Sequence, residues 1–383
     1  MKRLSFLSAA LAVVLLAVPA FAADEKAPIA HVDEVVKPKI QVAILLDTSS
    51  SMDGLINQTR EQLWKIVNTF ASAKKDGVRP TLELALYQYG NDSLSAESQW
   101  IQQVVPLTTN IDKVSEKLFA LRTNGGEEYC GAAITKAISQ LEWSKRPGDL
   151  KLIYIAGNEP FTQGPVHWDQ AVKNAIAKGV VVNTIHAGSE SDGVSGHWKD
   201  AAKLADGSFM TIDQNRAVAR IDAPQDKELA QLGAELNKTY VGFGRAGGEG
   251  VARQEKQDQN AMGMSASSGA TRAAAKASVA YDNSDWDLVD AKKKGKVDLK
   301  AMPVEALPAP MKAMKPEERE AYVAQKDSER AEIQKKIQAL SAQRDAYIAT
   351  ESKKRAKAGD KSMDEALLES AKAQGGKQAY QFE

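Results

Sequence analysis

The chain has 383 residues, and its 50 lysines and arginines balance 50 aspartates and glutamates, giving a formal charge of zero. Aromatics make up only 6% and no basic stripe interleaves with them, which argues against a nucleic-acid partner. The single cysteine, Cys130, excludes an internal disulfide, and the length admits two domains.

The N-terminus opens with Met1-Lys2-Arg3, continues through an apolar stretch from Leu11 to Val18 and reaches Ala20-Phe21-Ala22. A charged start, an apolar centre and a small-x-small site together predict a cleaved secretory signal over residues 1–22, cut after Ala22. Cleavage removes two basic residues and leaves 48 against 50. No later stretch approaches ~18 uninterrupted apolar residues, so no integral membrane segment is expected after cleavage. A periplasmic or secreted location follows; left uncleaved, the same segment would be an N-terminal anchor.

Residues 40–52 read IQVAILLDTSSSM. The run Val42 to Leu46 is continuously apolar, as in a parallel strand covered on both faces. It stops at Asp47-Thr48-Ser49-Ser50-Ser51, after which Leu55, Ile56, Leu63, Ile66, Val67 and Phe70 recur at helical spacing. Strand, oxygen-rich turn and helix place the Asp47 carboxylate and the Ser49 and Ser51 hydroxyls at the C-terminal end of a strand, where open α/β sheets bind ligands. One carboxylate with neutral oxygens suits a hard cation such as Mg²⁺. The same turn also suits a plain helix cap.

Further elements alternate. Leu82, Leu84 and Leu86 mark a second strand and Trp100 to Leu107 a third; helices are predicted over Ile111–Leu121 and Ala133–Leu141. The fourth strand is Leu152 to Ile155. A helix from Val166 to Gly179 precedes a strand at Val180–Ile185, a short helix near Trp198–Leu204, a strand at Ser208–Ile212 and a closing helix carrying Leu229, Leu232, Leu236 and Tyr240. This order predicts an α/β fold with a doubly wound, mostly parallel sheet over residues 38–243.

Beyond it, residues 244–315 are rich in Gly, Ala, Ser and Gln and predict a flexible linker. Within it lies a short acidic-aromatic segment, 279–291, with Tyr281 and Trp286 among Asp282, Asp285, Asp287 and Asp290. Docked across the face bearing Asp47, this segment would offer a carboxylate in cis. Pro316-Glu317-Glu318 starts a long charged helix, 316–358. Its seam of Val323, Lys326, Arg330, Ile333, Ile337, Leu340, Arg344 and Tyr347 is a weak coiled-coil pattern, so a homodimer stands beside a single helix. Residues 359–383 predict a partly disordered tail, completing a fold plan of sheet domain, linker and C-terminal helical tail.

Asp47-x-Ser49-x-Ser51 after a buried strand resembles the metal-ion-dependent adhesion site of the von Willebrand factor type A family, and the resemblance covers about residues 38 to 243. It implies a non-enzymatic binding module. Asp47, Ser49 and Ser51 would hold Mg²⁺, or Mn²⁺ or Ca²⁺, with one position open to an acidic side chain of a partner protein. The family adds a Thr from a second loop and an Asp from a third. Here the second loop is Gly125-Gly126-Glu127-Glu128-Tyr129-Cys130-Gly131, with Glu128 or Glu127 at the Thr position. The third is Gly157-Asn158-Glu159-Pro160-Phe161, with Gly157 or Asn158 at the Asp position. Ligand charge would thus move from one loop to another, and a second direct carboxylate would weaken the pull on an external acidic group. Tyr129 and Phe161, with Glu159, are expected to rim the site as partner contacts.

Two other functions fit the sequence. One is an envelope structural or stress-related protein whose type A fold binds no metal. The other is a hydrolase using a metal or Cys130 with His167, His186 or His197, although no H-x-x-x-H or H-E-x-x-H spacing occurs.

Overall fold

The computed structural model describes residues 37–212, 221–355 and 363–382. The expected signal peptide lies outside the described residues.

The apolar run forms β1 (Lys39–Asp47), and the helical repeat after it forms α1 (Asp53–Ala71). In chain order follow β2 (Ala73–Lys75), β3 (Thr81–Tyr89), β4 (Ile101–Thr108), α2 (Ile111–Ala120), α3 (Cys130–Gln140), β5 (Leu150–Gly157) and α4 (Trp168–Ala177). Next come β6 (Val181–Ala187), α5 (Glu190–Ser195), α6 (Trp198–Leu204), β7 (Phe209–Ile212) and α7 (Asp226–Asn237). The remaining elements are α8 (Gly244–Met264), α9 (Ala266–Lys276), α10 (Leu288–Lys293), α11 (Pro316–Arg355), α12 (Met363–Lys377) and β8 (Tyr380–Phe382).

Six strands make one sheet in the order β4-β3-β1-β5-β6-β7, parallel except for β4, which runs antiparallel to β3. β1 is central, which is why its sequence is apolar without alternation. Val42, Ile44 and Leu46 pack on one face with Leu63, Trp64 and Phe70 of α1. Ala43 and Leu45 pack on the other with Ile134 of α3 and Val172 of α4. Register then sets the functional edge: Asp47 pairs with Tyr89, Leu46 with Ala156, and Gly157 with His186.

The C-terminal third departs from the expectation of a flexible linker. Residues 244–315 carry three helices: α8 and α9 pack on α1, α2 and α7, and α10 packs on α11. The burial of α8 and α9 is hidden from composition because the groups they bury are small or polar: Gly247, Gly250, Ala261, Ala270 and Ala273 beside Gln254, Gln257, Arg272 and Lys276. The polar ones are matched. Arg272, 1% exposed, bonds Asp112 of α2 at 2.5 Å and Asp258 at 2.7 Å, with its guanidinium 4.2 Å above the Trp64 ring. Lys276 bonds the other Asp258 oxygen at 2.7 Å.

The acidic-aromatic segment docks inside the chain, with Trp286 and Tyr281 buried. Its carboxylates are engaged there and not at the Asp47 edge: Asp287 and Asp290 hold Arg330, Asp282 pairs with Lys294, and Asp285 with Lys296. The long helix uses its seam the same way. Val323, Arg330, Ile337 and Arg344, seven residues apart, are buried against the chain's own residues, Arg330 lying 3.9 Å above the Tyr240 ring and Arg344 bonding Asp226 at 2.6 Å. Half of the seam is thus occupied within the chain, while Tyr347 at its end is exposed.

The tail also folds back. α12 packs on α1 and β7, and β8 pairs antiparallel with β2. Ser370 and Gln374 of α12 bond the buried Asn183 of β6, and the Tyr380 hydroxyl donates to the Lys39 carbonyl at 2.8 Å. A polar pair with small neighbours carries little helical signal, so composition alone suggests disorder.

Candidate metal centre

Asp47 ends β1 and is wholly buried. Its Oδ1 accepts the backbone N–H of Ser49 at 2.8 Å, which curls the chain into the turn before α1. The turn is pinned from neighbouring loops: Thr48 N–H donates to Tyr89 O at 2.8 Å, and Asn124 N–H to Thr48 O at 3.0 Å. The Asn91 side-chain amide donates to Thr48 O at 3.2 Å and to Arg122 O at 2.9 Å. Three loops are thus locked to one another beneath the site.

Two oxygens in this pocket, Asp47 Oδ2 and Ser49 Oγ, have no hydrogen-bond partner in the structure, and neither does Asn158 Oδ1 of the third loop. A buried oxygen left unmatched is unfavourable by about 1–3 kcal/mol, so this position suits water or a bound cation. Ser51 is exposed on the same turn.

Of the two glutamates in the second loop, Glu128 turns inward, 9% exposed, while Glu127 is exposed. Its inward path shows at Gly90, whose φ of +73° requires glycine. A Cβ there would lie 2.8 Å from Glu128 Cγ and 2.9 Å from Asp47 Oδ1. The two carboxyls therefore share one small space. Burial pushes Asp47 up to about 7, and the Glu128 charge adds to this against the backbone N–H of Ser49. Burial likewise pushes Glu128 up to about 7, with Glu159 and Glu127 adding repulsion.

Gly157 closes the third side. A Cβ at 157 would lie 2.6 Å from the Tyr89 hydroxyl and 3.0 Å from Asp47 Oδ2, so this position takes no side chain and the loop offers Asn158 instead. The Tyr89 hydroxyl donates to Ala156 O at 2.9 Å and lies 3.6 Å from Cys130 Sγ. Tyr89, Gly90 and Asn91 shape the floor with Gly157, yet sequence reasoning missed those three. The polar stretch Gly90-Asn91-Asp92 directly after an apolar strand was the available signal.

The expected aromatic rim is half correct in placement. Tyr129 is half-buried at the loop surface, edge-on to Trp100 at 5.5 Å. Phe161 is wholly buried, edge-on to Trp198 at 4.8 Å, because its backbone N–H is held by Gly196 O at 2.8 Å and the ring turns into the α4–α6 core. It cannot contact a partner. Glu159 is half-buried beside Asn158 and Gln163, with Trp198 Nε1 holding its carbonyl at 2.9 Å.

The thiol and imidazoles do not assemble. Cys130 is buried against Tyr89, and burial pushes its thiol far up, away from nucleophilic character. His197 Nδ1 lies 2.9 Å from Asp200 and its ring stacks on Trp168, while His186 packs by Trp198. Among the described residues no three His, Cys, Asp or Glu side chains converge as a metal-binding group, so a zinc site from the three histidines is not formed. The two-carboxylate pocket, completed by hydroxyl and amide oxygens, is a different donor set. Among the described residues no helix is long and apolar enough to cross a membrane.

The family model for the von Willebrand factor type A domain matches residues 41–214. Among solved structures the chain is similar to the SpRpn10 VWA domain at 18% identity, covering 45% of this chain and 88% of that one, with a TM-score of 0.35. An aerotolerance-related membrane protein from Bacteroides fragilis NCTC 9343 matches at 15% identity over 45% of this chain and 92% of its own, TM-score 0.32. The conserved hypothetical protein BatB from Bacteroides thetaiotaomicron matches at 15%, over 45% and 90%, TM-score 0.35. No curated protein sequence matches the chain.

Proposed function

We propose that the chain, whose residues 41–214 match the von Willebrand factor type A family model, is an exported, non-enzymatic binding protein that holds a divalent cation at the C-terminal edge of its sheet and engages a protein partner there. Asp47, Ser49 and Glu128 would hold the ion, with Ser51 and Asn158 as further or water-mediated oxygens. One observation carries this: the buried oxygens Asp47 Oδ2 and Ser49 Oγ are unmatched beside a second carboxyl, Glu128, and Asn158 Oδ1 of the third loop is unmatched as well. Two carboxylates with neutral oxygens form a donor set that fits Mg²⁺, Mn²⁺ or Ca²⁺. The crowding at Gly157 is the reason the second carboxylate comes from Glu128 and not from the third loop. Export rests on the Met1–Ala22 segment.

Calorimetric titration of Mg²⁺, Mn²⁺ and Ca²⁺ into EDTA-stripped protein tests the reading. Saturable uptake in the wild type, abolished in Asp47→Ala and weakened in Glu128→Gln, is expected. No heat at millimolar metal in the wild type would leave a metal-free fold.

A further inference from the structure

The four loops around the pocket, residues 47–53, 90–100, 121–129 and 157–167, contain seven acidic residues and one basic one, in a chain whose total charge is zero. Asp53, Asp92 and Glu127 are exposed and Glu159 is half-buried. They form one rim: Asp53 accepts from Thr123 of the second loop at 2.7 Å, Asp92 N–H donates to Gly125 O, and Glu127 and Glu159 both repel Glu128. Among the described residues none of these four has an ion-pair partner. Arg122, the lone base, spends its guanidinium on the Phe119 and Leu121 carbonyls at 3.1 and 2.8 Å. Elsewhere the chain matches such charges, as in Lys293–Asp327 and Lys296–Asp285. The rim surrounds Asp47 and Ser49, 0% and 5% exposed, whose unmatched oxygens mark the same place as a ligand site.

We infer that the partner surface recognised at this face is a lysine- and arginine-rich protein segment, not an acidic one. The inference rests on the reading of the loop face as a binding surface. A divalent cation held by Asp47 and Glu128 offsets only two of the surplus negative charges. An incoming carboxylate would meet the remaining rim charges at close range, whereas a basic segment gains from each of them and is steered in by the field. The two carboxylates on the ion also lower its attraction for an external acid.

The test is fluorescence anisotropy of the full chain with two labelled decapeptides, one alternating Lys and Ser and one alternating Glu and Ser, in Mg²⁺ and in EDTA. The lysine peptide should bind and the glutamate peptide should not. Asp92→Lys/Glu127→Lys/Glu159→Lys should weaken lysine-peptide binding about tenfold or more, and raising salt from about 50 to about 500 mM should do the same. Reversing exposed acids away from the rim, Glu305→Lys/Glu332→Lys, should leave it unchanged. Preference for the glutamate peptide, equal loss in both variants, or no loss in the rim variant would overturn the inference. Failure of the cation reading is separable. It appears as absent Mg²⁺ uptake by calorimetry, and lysine-peptide binding that persists in EDTA and in Asp47→Ala would keep this inference while removing that one.

Discussion

Replacing Arg272 with methionine tests whether the C-terminal helices are integral to the sheet domain. The guanidinium is 1% exposed and joins Asp112 of α2 to Asp258 of α8 while lying 4.2 Å above Trp64 of α1. Its loss would strand buried charge, which is unfavourable by about 3–5 kcal/mol. The strain is partly relieved: Asp112 keeps the Tyr281 hydroxyl and Asp258 keeps Lys276. That points to the lower end of the range, about 3 kcal/mol, with roughly 1 kcal/mol more from the cation–π contact. A comparison on the neighbouring helix α8 is Arg253→Met. Arg253 pairs with Glu116 at 2.8 Å with 23% and 44% of the two side chains exposed, so water screens the pair and about 0.5 kcal/mol is expected. Urea unfolding followed by tryptophan fluorescence and by far-ultraviolet circular dichroism reads both variants. A fall in midpoint of similar size in both probes is the expected result for Arg272→Met. A loss below about 1 kcal/mol, or an early transition seen only by circular dichroism, would mean that α8 and α9 are a separable appendage and would refute the argument.

Gly157→Ala should destabilise by about 2 kcal/mol, because its Cβ would lie 2.6 Å from the Tyr89 hydroxyl; Tyr89→Phe should recover part of that loss in a double-mutant cycle of melting temperatures. Gln374→Leu removes an amide partner of the buried Asn183. A loss of about 1–3 kcal/mol is expected, together with faster hydrogen exchange over residues 363–382. Burial raises Asp290 to about 6, so the folded state binds its proton more tightly than the unfolded chain does. This contribution is whole below about pH 4 and lost as pH rises through about 6. Wild-type stability should therefore fall relative to Asp290→Asn by about 2 kcal/mol across that window, and a constant difference in urea midpoints would contradict the assignment. Mass analysis of the exported protein should find Ala23 as the first residue.

The sheet was legible because its physics is local. An unbroken apolar strand such as Val42–Leu46 announces coverage on both faces, and the acid and hydroxyls that follow announce its C-terminal end and the turn into α1. Glu128 was legible only as one of two candidates, since its inward turn depends on the φ of Gly90 and on the Asp47 carboxylate across the strand register. Phe161 was misplaced for a related reason: a loop aromatic gives no sign of which way the loop folds until Gly196 fixes its backbone. The C-terminal third was the least legible. Its interior is built from Arg272, Lys276, Arg330 and Arg344 matched to aspartates distant in sequence, and charge is the composition that otherwise signals solvent.

The central claim is a cation held by Asp47, Ser49 and Glu128, and diffraction at the manganese edge from crystals grown with Mn²⁺ tests it most directly. The account predicts one anomalous peak within bonding distance of Asp47 Oδ2, Ser49 Oγ and a Glu128 carboxylate oxygen, absent from crystals of Asp47→Ala. An Asp47–Glu128 pocket with no anomalous density at saturating Mn²⁺, or a peak confined to the exposed rim carboxylates, would contradict it.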